Sequence, residues 1–193
     1  CIDKPQHAAR QGRAINAEEW QQLAPYIRDD IGLSLAAYAG LRRGEILGLE
    51  RRDVDLVRGQ ITIQRQRLRV AGKLITSTPK SNAGNRIVPI CADLAPIIQR
   101  RAHQLTPNGL ICPMAPETLN HHWRRAQQEA GIEAPYRLHD LRHTYATQLV
   151  AAGCNIKTLQ YLMGHSTYQL TADTYTHINA EQARAELQRV GAL

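Results

Sequence analysis

The segment Arg137-Leu138-His139-Asp140-Leu141-Arg142-His143-Thr144 holds the densest set of side chains able to act on an anionic oxygen. On a helix, His139, Arg142 and His143 stand at i, i+3 and i+4 and share one face. Leu138, Leu141 and Tyr145 are then available to a core. A fixed cation between two imidazoles suits such an oxygen. Guanidinium keeps its charge at any working pH, and imidazole exchanges a proton near neutrality. Taken alone, the segment also fits two ordinary half-buried histidines. It further lies one methylene from the H-E-x-x-H pattern, which sets two zinc-binding histidines one helical turn apart. Against the zinc reading, Asp is shorter than the Glu that serves as base, and Arg142 would put a fixed cation beside the metal.

Four other stretches carry compatible chemistry. In Ala39-Gly40-Leu41-Arg42-Arg43-Gly44-Glu45, Gly40 can end one helix and Arg42 begin the next, with Glu45 one turn on to orient its guanidinium. Thr78-Pro79-Lys80-Ser81, followed by Asn85-Arg86-Ile87-Val88-Pro89-Ile90, puts Lys80 at a hairpin tip, with Lys73 as its competitor on the same hairpin. Leu162-Met163-Gly164-His165-Ser166 adds an imidazole behind a glycine, and Thr171-Ala172-Asp173-Thr174-Tyr175-Thr176-His177 adds a phenol. Each stretch has a plainer reading. Arg42-Arg43 fits a solvated surface pair, Lys80 any loop lysine, His165 the start of a loop and Tyr175 a core aromatic.

Composition narrows the partner. The 193 residues carry 24 Lys and Arg against 17 Asp and Glu, a net charge of +7 that favours a polyanion. No apolar run approaches the roughly 18 residues of a membrane span, and no basic-then-apolar leader opens the chain. Cys1, Cys91, Cys112 and Cys154 are scattered without a C-x-x-C pair. That spacing suits a reducing cytoplasm better than a zinc ribbon or a disulfide framework. Residues 1–14 are polar and without apolar period. They read as the end of a linker from an upstream domain, leaving 15–193 as one domain; a disordered terminus fits them equally.

The elements that must position these groups are mostly helical. Asn16-Ala17-Glu18-Glu19 has the form of a capping box and predicts a helix over 17–27. Asp29 and Asp30 precede the apolar residues of a second helix that Gly40 can end, and a short third fits 42–50. The period then changes to that of strands at 60–69, 74–78 and 86–90, expected to form one small antiparallel sheet. Helices follow at 92–105, 116–130, 139–152 and 155–164, then a short piece at 167–175 and a last helix at 180–190. The fold class expected is mainly α with a small antiparallel β-sheet (α+β).

In this order the motifs resemble those of the tyrosine recombinases, or phage integrase family, from about residue 15 to 178. The matching patterns are G-L-R-x-x-E from Gly40, L-H-D-L-R-H-T from Leu138, L-x-G-H-S from Leu162 and T-x-x-x-Y-x-H from Thr171. The resemblance implies that Arg42 and Arg142 bind the phosphate and that His139 and His165 are the two histidine positions. Lys80 is then the hairpin lysine, Glu45 the supporting acid and Tyr175 the nucleophile. His143 and His177 become supporting or capping groups. It implies site-specific recombination of double-stranded DNA through a covalent 3′-phosphotyrosine, with no metal or other cofactor. It also implies a homotetramer on paired sites, an upstream DNA-binding domain, and for 15–193 a fold like that of the family's catalytic domain; the chain alone is expected to be monomeric. A type IB topoisomerase and a catalytically silent DNA-binding domain are the alternatives. Arg65, Arg67 and Arg69, which alternate along a strand, and Arg124 and Arg125, on the polar face of 116–130, are candidate phosphate contacts.

Overall fold

The structure, a computed structural model, describes residues 12–78 and 84–165. Lys80, Tyr175, His177 and the helices expected at 167–175 and 180–190 lie outside the described residues. Helix α1 (Ala17–Asp29) starts where the Asn16 side chain accepts the Glu19 N–H at 2.8 Å. Asp30 separates it from α2 (Ile31–Ala39) and caps the new helix by accepting the Gly32 and Leu33 N–H groups. Helix α2 is apolar all round, so it lies fully inside, packed against α1 and the later helices. Gly40 ends it with φ +62°, and a Cβ there would fall 2.4 Å from the Tyr145 ring. Both facts demand glycine: the backbone is left-handed and the neighbouring helix is too close for a side chain.

Helix α3 (Arg43–Gly48) and a 3₁₀ turn (Arg51–Asp53) lead into the strands. Strands β1 (Val54–Asp55), β2 (Gln60–Ile63) and β5 (Arg86–Pro89) form one antiparallel sheet in the order β1-β2-β5. Ile61 faces Val88 and Ile63 faces Arg86 across β2 and β5, and all four side chains are buried. Strands β3 (Gln66–Val70) and β4 (Lys73–Ser77) form a separate two-stranded ribbon.

Two sheets therefore replace the single one expected, and the strand expected over 60–69 is broken at Gln64-Arg65. The cause is the buried Asp53 carboxylate. It accepts Gln64 Nε2 at 2.7 Å and also pairs with the Arg65 guanidinium, turning the chain off the first sheet. The ribbon then seats on α3 at Gly48, where a Cβ would come 3.0 Å from the Gln66 Cα.

Four helices complete the described chain: α4 (Ala95–Ala102), α5 (Pro116–Glu129), α6 (Leu138–Ala151) and α7 (Ile156–Met163). Leu119, Trp123 and Ala126 of α5 join the main core, and the Trp123 indole donates to the Tyr136 carbonyl at 2.9 Å. The first half of α6 reaches that core through Leu141. Its second half builds a smaller cluster with α7 around Ala146, Leu159 and Met163. No helix among the described residues is long and apolar enough to cross a membrane. The α+β class expected from the sequence is the one found.

Candidate active site

The last turn of α7 organises the site. A helix leaves its final carbonyls without intrahelical partners, and they form the negative end of its dipole. Here three successive carbonyls each accept from a different arginine. Arg86 Nε donates to Leu162 O at 2.7 Å, Arg142 Nη2 donates to Met163 O, and Arg42 Nη2 donates to Gly164 O at 2.7 Å. Gly164 itself is left-handed, with φ +56°, and closes the helix. His165 follows at once, so the same turn that collects the guanidiniums also delivers this imidazole.

Arg142 comes from α6 and is buried, 2% exposed. Its Nη1 donates to Gly40 O, so one side chain joins the turn after α2 to the end of α7. Arg42 is the N-cap of α3, and its side chain is 36% exposed. Its N–H donates to Glu45 Oε2 at 2.8 Å and its Nη1 to Glu45 Oε1 at 2.9 Å. The orienting role expected for Glu45 thus has its geometry. Arg137 and Asp140 repeat the pattern at the start of α6, with Arg137 N–H donating at 2.7 Å and Nη2 at 2.8 Å to the carboxylate.

Sequence reading missed Arg86. It donates to both Glu45 oxygens at 2.9 Å, and its side chain is 0% exposed. Burial pushes the Glu45 pKa up, but the Arg86 and Arg42 bonds and charges outweigh that and hold it at about 2. The signal that could have found Arg86 is the strand period. Arg86 and Val88 alternate with Ile87 and Pro89, so an inward Val88 carries Arg86 inward.

The three groups expected on one face of α6 do not act as one set. Successive helix residues turn by about 100°, so His143 and Arg142 diverge on either side of His139. His143 turns toward Gly12, where a Cβ would meet the imidazole ring at 3.0 Å. His139 and Arg142 turn to the arginine cluster. Burial, then Arg142, lowers the His139 pKa. Burial, then Arg142, Arg42 and Arg86, lowers that of His165 to about 4. Burial and the neighbouring guanidiniums thus favour the neutral form of both imidazoles, and His165 resists a proton well below neutrality. Beside His139 opens a cleft of about 400 Å³, lined also by Ala36, Leu41 and Leu138 and by the polar Arg43, Asn120 and Arg137. No group of three or more His, Cys, Asp or Glu among the described residues is placed to hold a metal ion.

Three of the candidate phosphate-contact arginines have carboxylate partners within the protein. Arg65 lies outside the strands and pairs with Asp53 and Glu50, its side chain 15% exposed. Arg69 binds both oxygens of Glu117 at 3.0 Å and ties the ribbon to α5. Arg65 therefore does not share a strand face with Arg67 and Arg69, which stand at i and i+2 of β3. Arg125 pairs with Glu129 on the surface of α5 at 2.6 Å. Arg67 and Arg124 have no ion-pair partner among the described residues. Lys73 stands exposed at the tight-turn end of the ribbon, opposite Val70.

The depressed His165 pKa sets a pH dependence of stability. The folded state resists protonation at this ring, while the unfolded chain takes up the proton near pH 6.5. The stability involved is fully present above about pH 6.5 and is lost as pH falls toward about 4. His165→Gln is expected to lose less stability than the wild type between pH 7 and pH 5, measured as the shift in urea midpoint. Equal shifts in the two proteins would mean that this ring is not the group resisting the proton.

The sequence model of the Phage integrase family matches residues 13–182. "Tyrosine recombinase XerC-like" of Caldanaerobacter subterraneus subsp. tengcongensis is 30% identical over 178 residues, covering 77% of this chain and 45% of that protein. A putative prophage phiRv2 integrase of Mycobacterium tuberculosis is 33% identical over 144 residues, 69% of this chain and 38% of the relative. The chain spans about half the length, or less, of these curated relatives. Among solved structures, the Tn1549 transposon integrase in complex with circular intermediate DNA superposes with a TM-score of 0.79 at 25% identity, over 95% of this chain and 68% of that one. With the family's sequence model spanning nearly the whole chain, and the arginines of its motifs meeting on the last turn of α7, this protein belongs to the phage integrase family.

Proposed function

We propose that the chain is the catalytic domain of a site-specific recombinase that cuts and rejoins double-stranded DNA through a covalent 3′-phosphotyrosine. The observation that carries this reading is the meeting of Arg42 and Arg142, 100 residues apart, on adjacent carbonyls of α7 beside two neutral imidazoles. Relatives named tyrosine recombinases and a prophage integrase support it, as does the fold shared with an integrase bound to DNA.

In the forward step the Tyr175 oxygen attacks the phosphorus. A Tyr–O–P bond forms, the P–O5′ bond breaks, and the tyrosine proton passes to a base. His139, neutral at pH 7, supplies that base. The departing 5′-oxygen takes a proton from Lys80. In the reverse step a 5′-hydroxyl from the partner strand attacks and releases the tyrosine. One phosphodiester linkage is kept throughout, so no nucleotide hydrolysis is required. Arg42 and Arg142 stabilise the charge on the non-bridging oxygens, and His165 hydrogen-bonds the same group. Glu45 orients Arg42, and His143 steadies the N-terminal segment at Gly12. Four copies on two DNA sites would exchange the strands.

The ribbon geometry favours Lys80 over Lys73 as the acid. Lys73 begins β4 and Ser77 ends it, so Lys73 stands roughly 13 Å from Ser77 along the strand at ~3.3 Å per residue, at the turn end of the ribbon. Lys80 instead lies in the stretch that runs into Gly84, whose carbonyl accepts from Arg86 within the site.

A nicked suicide duplex carrying the protein's own recombination site tests the proposal. An SDS-resistant protein–DNA adduct is expected, and it should form equally in excess EDTA because guanidiniums neutralise the phosphate. Loss of the adduct on chelation, with rescue by zinc, would overturn this reading and return His139 and His143 to a metal role.

A further inference from the structure

We infer that Arg86 is a positioning residue for the phosphate site: by sharing the Glu45 carboxylate it leaves the charge of Arg42 available to a bound anion. The inference rests on the phosphotransfer reading above. Arg86 cannot meet an anion from solution, because its side chain is 0% exposed. Four of its contacts are accounted for inside the protein: the two Glu45 oxygens at 2.9 Å, Leu162 O at 2.7 Å and Gly84 O at 3.3 Å.

The charge balance gives this arrangement its meaning. Glu45 is ionised and faces two guanidiniums, each bonded to Oε1 at 2.9 Å. One negative charge against two positive leaves a net cation, and only Arg42 of the two reaches solvent. Without Arg86, Glu45 and Arg42 would cancel each other. A buried carboxylate left with a single partner would also hold that partner more tightly, at the expense of any competing anion.

Arg86 carries a second kind of information. Standing on β5, it bonds α3 through Glu45 and the last turn of α7 through Leu162. The segment that holds Lys80 joins the described structure at Gly84, two residues before Arg86. One buried side chain therefore sets the position of Arg42, the carbonyl row before His165 and the anchor of the lysine segment relative to one another.

The test is titration of the protein with inorganic phosphate at fixed ionic strength, followed by the imidazole NMR resonances of His139 and His165. Thermal midpoints of the same samples report whether each variant is folded. Arg86→Met is expected to weaken phosphate binding by about tenfold or more, since Glu45 then neutralises Arg42. Adding Glu45→Gln removes that neutralising charge while keeping an acceptor for the Arg42 N–H. The double variant should return to within about threefold of the wild type, a recovery that a merely structural role does not predict. A double variant as weak as Arg86→Met, or a single variant with wild-type affinity, would overturn the inference. Should Arg86→Met not fold, Arg86→Lys decides: it keeps the counter-charge, so affinity should stay within about threefold, and a tenfold loss would contradict charge sharing. Arg42→Met is the control for the site itself. If it binds phosphate like the wild type, the phosphotransfer reading fails, whatever Arg86 does.

Discussion

Tyr175→Phe is expected to abolish the covalent protein–DNA adduct, a loss on the order of 10⁵ or more, as when a nucleophile is deleted from a preorganised site. DNA binding should stay within about twofold, since phosphate contacts by arginines dominate affinity and none of them is altered. The substitution removes one oxygen, and without it no Tyr–O–P bond can form. The described tyrosines near the site supply the controls. Tyr145 is half-buried against Gly40, and burial pushes its pKa up to about 12. The Tyr161 oxygen already accepts the Ile87 N–H at 2.9 Å. Tyr145→Phe and Tyr161→Phe should therefore both retain the adduct on the suicide duplex. An undiminished adduct in Tyr175→Phe would mean that another residue attacks.

Lys80→Ala is expected to slow cleavage by roughly the 10²–10⁴ typical of a lost acid or base. The diagnostic is the leaving group. An alkoxide needs a proton as it departs, whereas a thiol, with a pKa near 8.5, leaves as the thiolate. On a substrate with sulfur at the bridging 5′ position, Lys80→Ala should be nearly restored. Arg42→Ala should stay defective on that substrate, because the non-bridging oxygens it stabilises are unchanged by the sulfur. Single-turnover cleavage of the two substrates measures both effects. Persistent loss of Lys80→Ala activity on the thio substrate would make Lys80 a phosphate ligand or a shaper of the loop. Full activity on both substrates would shift the acid to Lys73, despite its place at the far end of the ribbon.

Helix boundaries and the first-turn partners of the site were legible in the sequence because they depend on residues within one turn of each other. Asn16 and Asp30 cap their helices with their own side chains, and Gly40 and Gly164 end theirs in the left-handed conformation. Glu45 meets Arg42 for the same reason, at i+3. What only the tertiary structure decided involves charges whose partners lie far along the chain. Arg65 finds Asp53 and breaks a strand; Arg69 finds Glu117, 48 residues on; Arg86 finds Glu45, 41 residues back; and His143 turns to Gly12 rather than to Arg142. A local pattern records which groups can bond within a turn. A buried charge must be satisfied by whichever carboxylate or carbonyl the packed helices bring to it, and that choice is made by the fold as a whole.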